Sequence, residues 1–312
     1  MDRRNFLKAA ALTGAAFTLK VNGGLDILAQ TVKSSQTGNL VDLVAVMGGE
    51  PEAMFKRAIA EIGGIDKFVK KGHKVVVKPN IGWDKTPEMA ANTNPELVAE
   101  IIRHCFAAGA KEVIVFDNTC DDWKKAYKNS GIEGAAKAAG AKVIPANEEA
   151  YYTPVSLPKG RKLKDTKVHK ALLDSDVWIN VPILKHHGGA NLTISMKNLM
   201  GICWDRRIFH DVDLQQCIAD MCTLQKRPVL NVVDAYRVLK DNGPRGTSEA
   251  DVVNPKALFI SQDIVAVDTA SAKFFNQIRE MPLDYVGHLA HGQDLKLGTM
   301  DIENMNVKRI KL

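Results

Sequence analysis

The sequence predicts an α/β protein: a mostly parallel sheet with helices on both faces, built either as one body or as two α/β subdomains with a site between them. Three observations predict it. From Leu40 onward, short β-rich runs alternate with segments of helical spacing. Val75-Val76-Val77 is continuously apolar, as expected of a strand covered on both faces. Helix-stop and helix-start residues punctuate the alternation, at Gly48-Gly49, Gly63-Gly64 and Asn94-Pro95.

In order, residues 41–47 form a strand that ends at Gly48-Gly49, and 51–62 a helix that stops at Gly63-Gly64. Residues 74–78 are the buried strand. Asn94 is the expected N-cap of the next helix, with Pro95 at its first position and Gly109 just past its end. A strand at 112–116, helices near 123–127 and 132–139, and a strand at 142–144 continue the rhythm. Residues 146–168 interrupt it with charges, two tyrosines and two prolines, which suits an insertion or a bridging hairpin. Strands then follow at 177–182, 229–233 and 258–261, and helices at 213–224 and 264–275, with a Gly/Pro loop at 241–246.

Ahead of this domain, Arg3-Arg4-Asn5-Phe6-Leu7-Lys8 sets a twin-arginine pair before a mild Ala/Thr/Gly-rich run. That run is too short to span a bilayer, which takes ~20 apolar residues. Leu28-Ala29 offers a small residue for a signal peptidase. The expected organisation is a twin-arginine signal peptide at 1–29, a flexible linker at 30–39 and an α/β domain at 40–312. It implies the twin-arginine translocase as a partner during export, a periplasmic or other extracytoplasmic location, and no stable membrane span after cleavage.

The chain carries +6, and the leader's four basic and two acidic residues account for +2 of it. The remaining excess suits a small anionic ligand and is too diffuse to recruit nucleic acid. Five cysteines with no CxxC pair argue against a disulfide framework, a zinc ribbon or an iron–sulfur cluster, and read as small buried apolar residues. No GxGxxG follows the first strand, and neither GxxxxGK[ST] nor GxSxG occurs. An ordinary nicotinamide dehydrogenase, a nucleoside triphosphatase and an α/β-hydrolase are therefore disfavoured.

Ligands of open parallel sheets sit beyond the carboxyl ends of the strands. Those ends deliver Lys78-Pro79-Asn80, Asp117-Asn118-Thr119, Lys185-His186-His187-Gly188-Gly189 and Asp234, with Thr193, Lys197, Asn198 and Gly201 close behind the third. A lysine there either holds a phosphate or carboxylate or, once desolvated, acts as a base or imine former. The expected catalytic set is Lys185, His186, Lys197, His210 and Asp234. The expected substrate-binding set is Lys78, Asn80, Thr193, Asn198, Gly201 and Arg245, the last from a loop that either closes over an anion or is a plain surface turn. His187, His210 and Asp234 are an alternative set for a divalent metal, although the adjacent histidines have no HxH or HxxxH spacing. Asp263 is a natural N-cap of the last helix, and Asp268 either faces the site or orients a lysine.

Lys78-Pro79-Asn80, the Asn94-Pro95 helix, Leu184-Lys185-His186 and Leu192-Thr193 through Lys197-Asn198-Leu199-Met200-Gly201 form one ordered series. With His210, Asp234, the 242–246 loop and Asp263 to Asp268, it resembles the prokaryotic family called domain of unknown function 362, over about residues 40–290. The resemblance implies an α/β fold and singles out Lys78, Asn80, Lys185, His186, Thr193, Lys197, Asn198 and Gly201. Several members carry a ferredoxin-like run of cysteines that this chain lacks. Two functions fit these expectations: an exported enzyme acting on a small carboxylate or phosphate, or a periplasmic binding or carrier protein for an anion or metal complex.

Overall fold

Val75, Val76 and Val77 have no solvent exposure, and the sheet is assembled around them. The structure, a computed structural model, describes residues 41–312. The expected leader and linker at 1–39 lie outside the described residues. In chain order the strands are β1 (Leu43–Met47), β2 (Lys74–Pro79), β3 (Glu112–Val115), β4 (Lys142–Val143), β5 (Tyr152–Ser156), β6 (Asp165–His169) and β7 (Val177–Val181). They continue with β8 (Ile183–His187), β9 (Asn191–Thr193), β10 (Leu230–Leu239), β11 (Val252–Val253), β12 (Ala257–Ser261) and β13 (Val307–Lys311). The helices are α1 (Pro51–Glu61), α2 (Pro95–Ala107), α3 (Trp123–Asn129), α4 (Ile132–Ala138) and α5 (Lys170–Leu173). Next come α6 (Ser195–Asn198), α7 (Arg207–Val212), α8 (Leu214–Met221), α9 (Ile264–Ile278) and α10 (His288–Asp294).

The main sheet runs β13-β1-β12-β10-β7-β2-β3-β4, with β8, β9 and β11 attached beside β10. The half from β10 to β4 is parallel along this path, whereas β12 lies antiparallel between β10 and β1. Helices cover both faces. On one, Phe55 and Ile59 of α1 and Leu97, Ile101 and Ile102 of α2 pack onto Val75, Val113, Ile179, Leu230 and Ile260. On the other, α9 packs against β10 and β12, and α6 against β7 and β10. The described residues fall in one unit, so the two-subdomain arrangement is not adopted.

The local signals act as the residue chemistry dictates. Asn94 accepts the amide of Glu96 at 2.9 Å, capping α2. Residues 152–169 form a two-stranded antiparallel hairpin, β5 with β6, as the break in rhythm at 146–168 allowed.

Two expectations need correction. The strand expected at 229–233 runs on to Leu239, so Asp234 stands inside β10 rather than past its end. The Lys185-His186-His187 segment is itself a strand, β8, rather than a loop. Pro182 has no N–H to donate and separates β7 from β8, and both segments then pair in parallel with successive stretches of β10. Among the described residues, no helix is long and apolar enough to cross a membrane.

Candidate functional site

The ends of β2 and β3, one face of β8 and the short helix α6 enclose a cavity of about 530 Å³, within the range of ordinary small-ligand sites. Its wall includes Asn80, Asp117, Lys185, His187, Thr193, Lys197, Asn198, Gly201, Arg206 and His210. Side chains alternate along a strand. Lys185 and His187 therefore share the face of β8 that lines the cavity, and His186 points the other way.

A hydrogen-bonded frame holds the floor. Lys78, buried beneath it, donates to the carbonyl and side-chain oxygens of Asn198 at 2.8 and 2.9 Å, and pairs with Asp117 at 2.8 Å. Asp117 also accepts the amide of Ile81 at 2.6 Å. Asn80 donates to Asn198 at 3.0 Å, and Asn198 in turn donates to Asn180 at 2.9 Å. Each amide is thus fixed in orientation by what it donates and accepts. Helix α6, which carries Lys197 and Asn198, is held at its start by Asp268. Its two carboxylate oxygens accept the amides of Ser195 and Met196, both at 2.8 Å. Asp268 therefore orients the lysine-bearing helix and does not face the cavity itself; burial pushes its carboxyl up to about 7.

Gly201 is dictated by close approach. A Cβ there would lie 1.9 Å from Asp117 Oδ1 and 2.5 Å from Lys78 Nζ, so only glycine leaves room for the pair.

The remaining cations have no acid of their own. Lys185 donates to Asn80 Oδ1 at 3.1 Å and to the Ala91 carbonyl, both neutral acceptors. Burial is the main force that lowers its pKa to about 7, and the neighbouring Lys197 and Lys78 act in the same sense. Lys197 is lowered to about 8, again chiefly by burial. Arg206 donates to the carbonyls of Asn118 and Thr119 at 2.6 and 2.7 Å. None of the three forms an ion pair among the described residues, and the one carboxylate they place on the wall, Asp117, is already neutralised by Lys78. His187 accepts the amides of Gly189 and Ala190 at its Nδ1, both at 3.1 Å, so its proton sits on Nε2. Burial, with the two lysines nearby, holds His187 at about 2, and burial also lowers His210. Both imidazoles are neutral near pH 7.

The structure thus gathers Asn80, Lys185, Thr193, Lys197, Asn198, Gly201 and His210 around one cavity, with Lys78 under its floor. Three expected residues fall elsewhere. His186 accepts the Gly243 amide at 3.0 Å, fastening the 242–246 loop. Asp234 accepts the amides of Asn94 and Tyr236 at 2.7 and 3.0 Å, which makes it a backbone clamp; burial raises its carboxyl to about 6. Arg245 pairs with Asp121 at 3.5 Å and lies over Trp83, beside the wall rather than in it. The metal set His187, His210 and Asp234 is not assembled. Asp234 is spent on backbone amides, and His187 has no free lone pair while its proton is on Nε2. Among the described residues, no group of three His, Cys, Asp or Glu side chains converges on a point.

Sequence reading missed Arg206 and Cys120. Four cysteines are buried as expected, but Cys120 is exposed and lines the cavity, 3.4 Å from Arg206. Its position directly after Asp117-Asn118-Thr119 at the end of β3 was the available signal.

Comparison with known proteins bears on the frame. The family described as Domain of unknown function (DUF362) matches over residues 75–273. The Thylakoid-associated protein sll1697 of Synechocystis sp. is 24% identical over 223 residues, which are 69% of this chain and 67% of that protein. Among solved structures, the lactate racemase apoprotein from Thermoanaerobacterium thermosaccharolyticum aligns with a TM-score of 0.48 at 14% identity, over 79% of this chain and 59% of that one. A protein from Thermotoga maritima aligns at 0.38 and 12% identity, over 79% and 60% of the two chains. This chain therefore spans about three fifths of the length of each of those solved chains.

Proposed function

The chain belongs to the family described as Domain of unknown function (DUF362), and from the cavity's geometry we propose that this member is an enzyme acting on a small carboxylate or phosphate. One observation carries the reading: Lys185, Lys197 and Arg206 face a single cavity with no ion-pair partner among the described residues. Like charges gathered out of water repel one another and lose solvation, and an anion relieves both costs. In this reading Lys197 and Arg206 hold the anionic group. The amides of Asn80 and Asn198 set its orientation, Lys185 presents the reacting nitrogen, and neutral His210 takes or gives a proton.

The twin-arginine pair Arg3-Arg4 supports placing this activity outside the cytoplasm after export. The competing reading, an anion carrier, uses the same cations and needs no proton transfer.

Calorimetric titration with a panel of small carboxylates and phosphates, paired with product analysis by NMR, tests the choice. We expect saturable binding of at least one anion, weakened about ten-fold or more in Lys197→Ala (about 1.4 kcal/mol), and conversion of that anion. Saturable binding without any product assigns the carrier. Absence of binding across the panel overturns both.

A further inference from the structure

We propose that Lys185 acts as a nucleophile, forming an imine with the carbonyl carbon of a small 2-oxo acid held in the cavity. This names the substrate class and rests on the anion-binding reading above.

The observation is a contrast between two buried lysines. A lysine nitrogen has three directions besides its own carbon. At Lys78 all three are taken by acceptors: the Asn198 carbonyl at 2.8 Å, Asn198 Oδ1 at 2.9 Å and Asp117 Oδ1 at 2.8 Å. Three acceptors, one of them a carboxylate, require three protons, so Lys78 is an ammonium ion with no lone pair to offer.

Lys185 has two acceptors, Asn80 Oδ1 and the Ala91 carbonyl, and neither is charged. Its third direction is left open, and the side chain lines the cavity. A neutral amine that gives its two hydrogens to those two oxygens keeps its lone pair for that open direction. Nothing anionic holds the third proton in place, and Lys197 across the same cavity disfavours it.

The same cavity determines what the lone pair meets. Lys197 is free to take a carboxylate, which places an adjacent carbonyl carbon toward the other lysine. In the step, the Lys185 Nζ–carbon bond forms and the carbon–oxygen bond breaks. The two amine hydrogens leave with that oxygen as water, giving a neutral imine. No oxidant or reductant takes part.

The test is reductive trapping on the full chain with pyruvate and cyanoborohydride, read by intact mass and peptide mapping. The expected result is one adduct per chain at Lys185, equal in mass to pyruvic acid less one oxygen atom. Lys185→Arg, which keeps the charge but not the nucleophile, should abolish it. Lys197→Ala should slow it about ten-fold or more, since the carboxylate then loses its anchor. Within the wild-type protein, inorganic phosphate should slow trapping at Lys185 and leave surface lysines untouched, which requires no variant to fold. Labelling spread over surface lysines and insensitive to phosphate overturns the inference. So does pyruvate binding by calorimetry with no adduct, and in that case the anion-binding reading stands. If no anion binds, both fall together.

Discussion

Lys78 Nζ lies 2.8 Å from Asp117 Oδ1, with both side chains buried and the pair roofed by Gly201. The contact neutralises the carboxylate on the cavity wall and joins the end of β2 to the residues after β3. Through Asn198 it also reaches α6. Desolvation offsets much of the attraction within such a pair, but removing one member strands the other. Lys78→Met is therefore expected to lower stability by about 3–5 kcal/mol in urea unfolding. The double variant with Asp117→Asn should lose less than the two single losses added together. A Lys78→Met loss under about 1 kcal/mol would show that Asp117 finds another partner.

Gly201→Ala tests the same contact from above. The added methyl would sit 1.9 Å from the carboxylate, so the pair must open or the 199–202 turn must shift. Overpacking of this kind costs about 1–3 kcal/mol. The expected result is a lower melting temperature together with weaker anion binding, because Asn198 and Lys197 ride on the adjoining helix. Unchanged melting and unchanged binding would mean that the turn yields freely.

Most of the frame was legible because it comes from short-range chemistry: the buried valine run of β2, the Asn94 cap and the glycines that stop α1. The cluster Asn80, Lys185, Lys197 and Asn198 was legible because a parallel sheet brings the residues beyond its strand ends to one rim. Asp234 and His186 were misread for one reason. Strand length decides which residue is an end and which is interior, and an apolar run does not reveal where pairing stops. β10 continues because β8 and β11 pair with its far half, a long-range effect that no local pattern encodes. Arg206 was invisible because its role depends on reaching the carbonyls of Asn118 and Thr119, far away in sequence.

Asp234 offers a check on that correction. If it clamps the amides of Asn94 and Tyr236, then Asp234→Asn leaves one amide facing an NH2 group. The expected cost is about 1–3 kcal/mol of stability, with sulfate affinity at the cavity unchanged within about two-fold, since the residue does not line it. A selective loss of affinity with full stability would return Asp234 to the site.

The lysines give the cavity a pH signature whose sign is fixed. Lys185 sits at about 7 and Lys197 at about 8, both below the ordinary 10.5. Above pH 7 and up to 10.5, the unfolded chain therefore binds more protons than the folded one, and these two groups make stability rise with pH through that window. Anion binding runs the other way, because a bound anion needs both lysines charged. Sulfate, whose charge is constant over this range, should bind best below pH 7. It should then weaken as pH rises through 7 to 8, at about ten-fold per pH unit for each lysine that must take up a proton. In Lys197→Ala the fall should keep only the component centred near 7. Imine trapping at Lys185 should instead speed up from pH 6 to 7.5, because it needs the neutral amine. Opposite slopes for sulfate affinity and trapping rate in one protein would tie both to Lys185, whereas parallel slopes would assign the pH dependence to some other group.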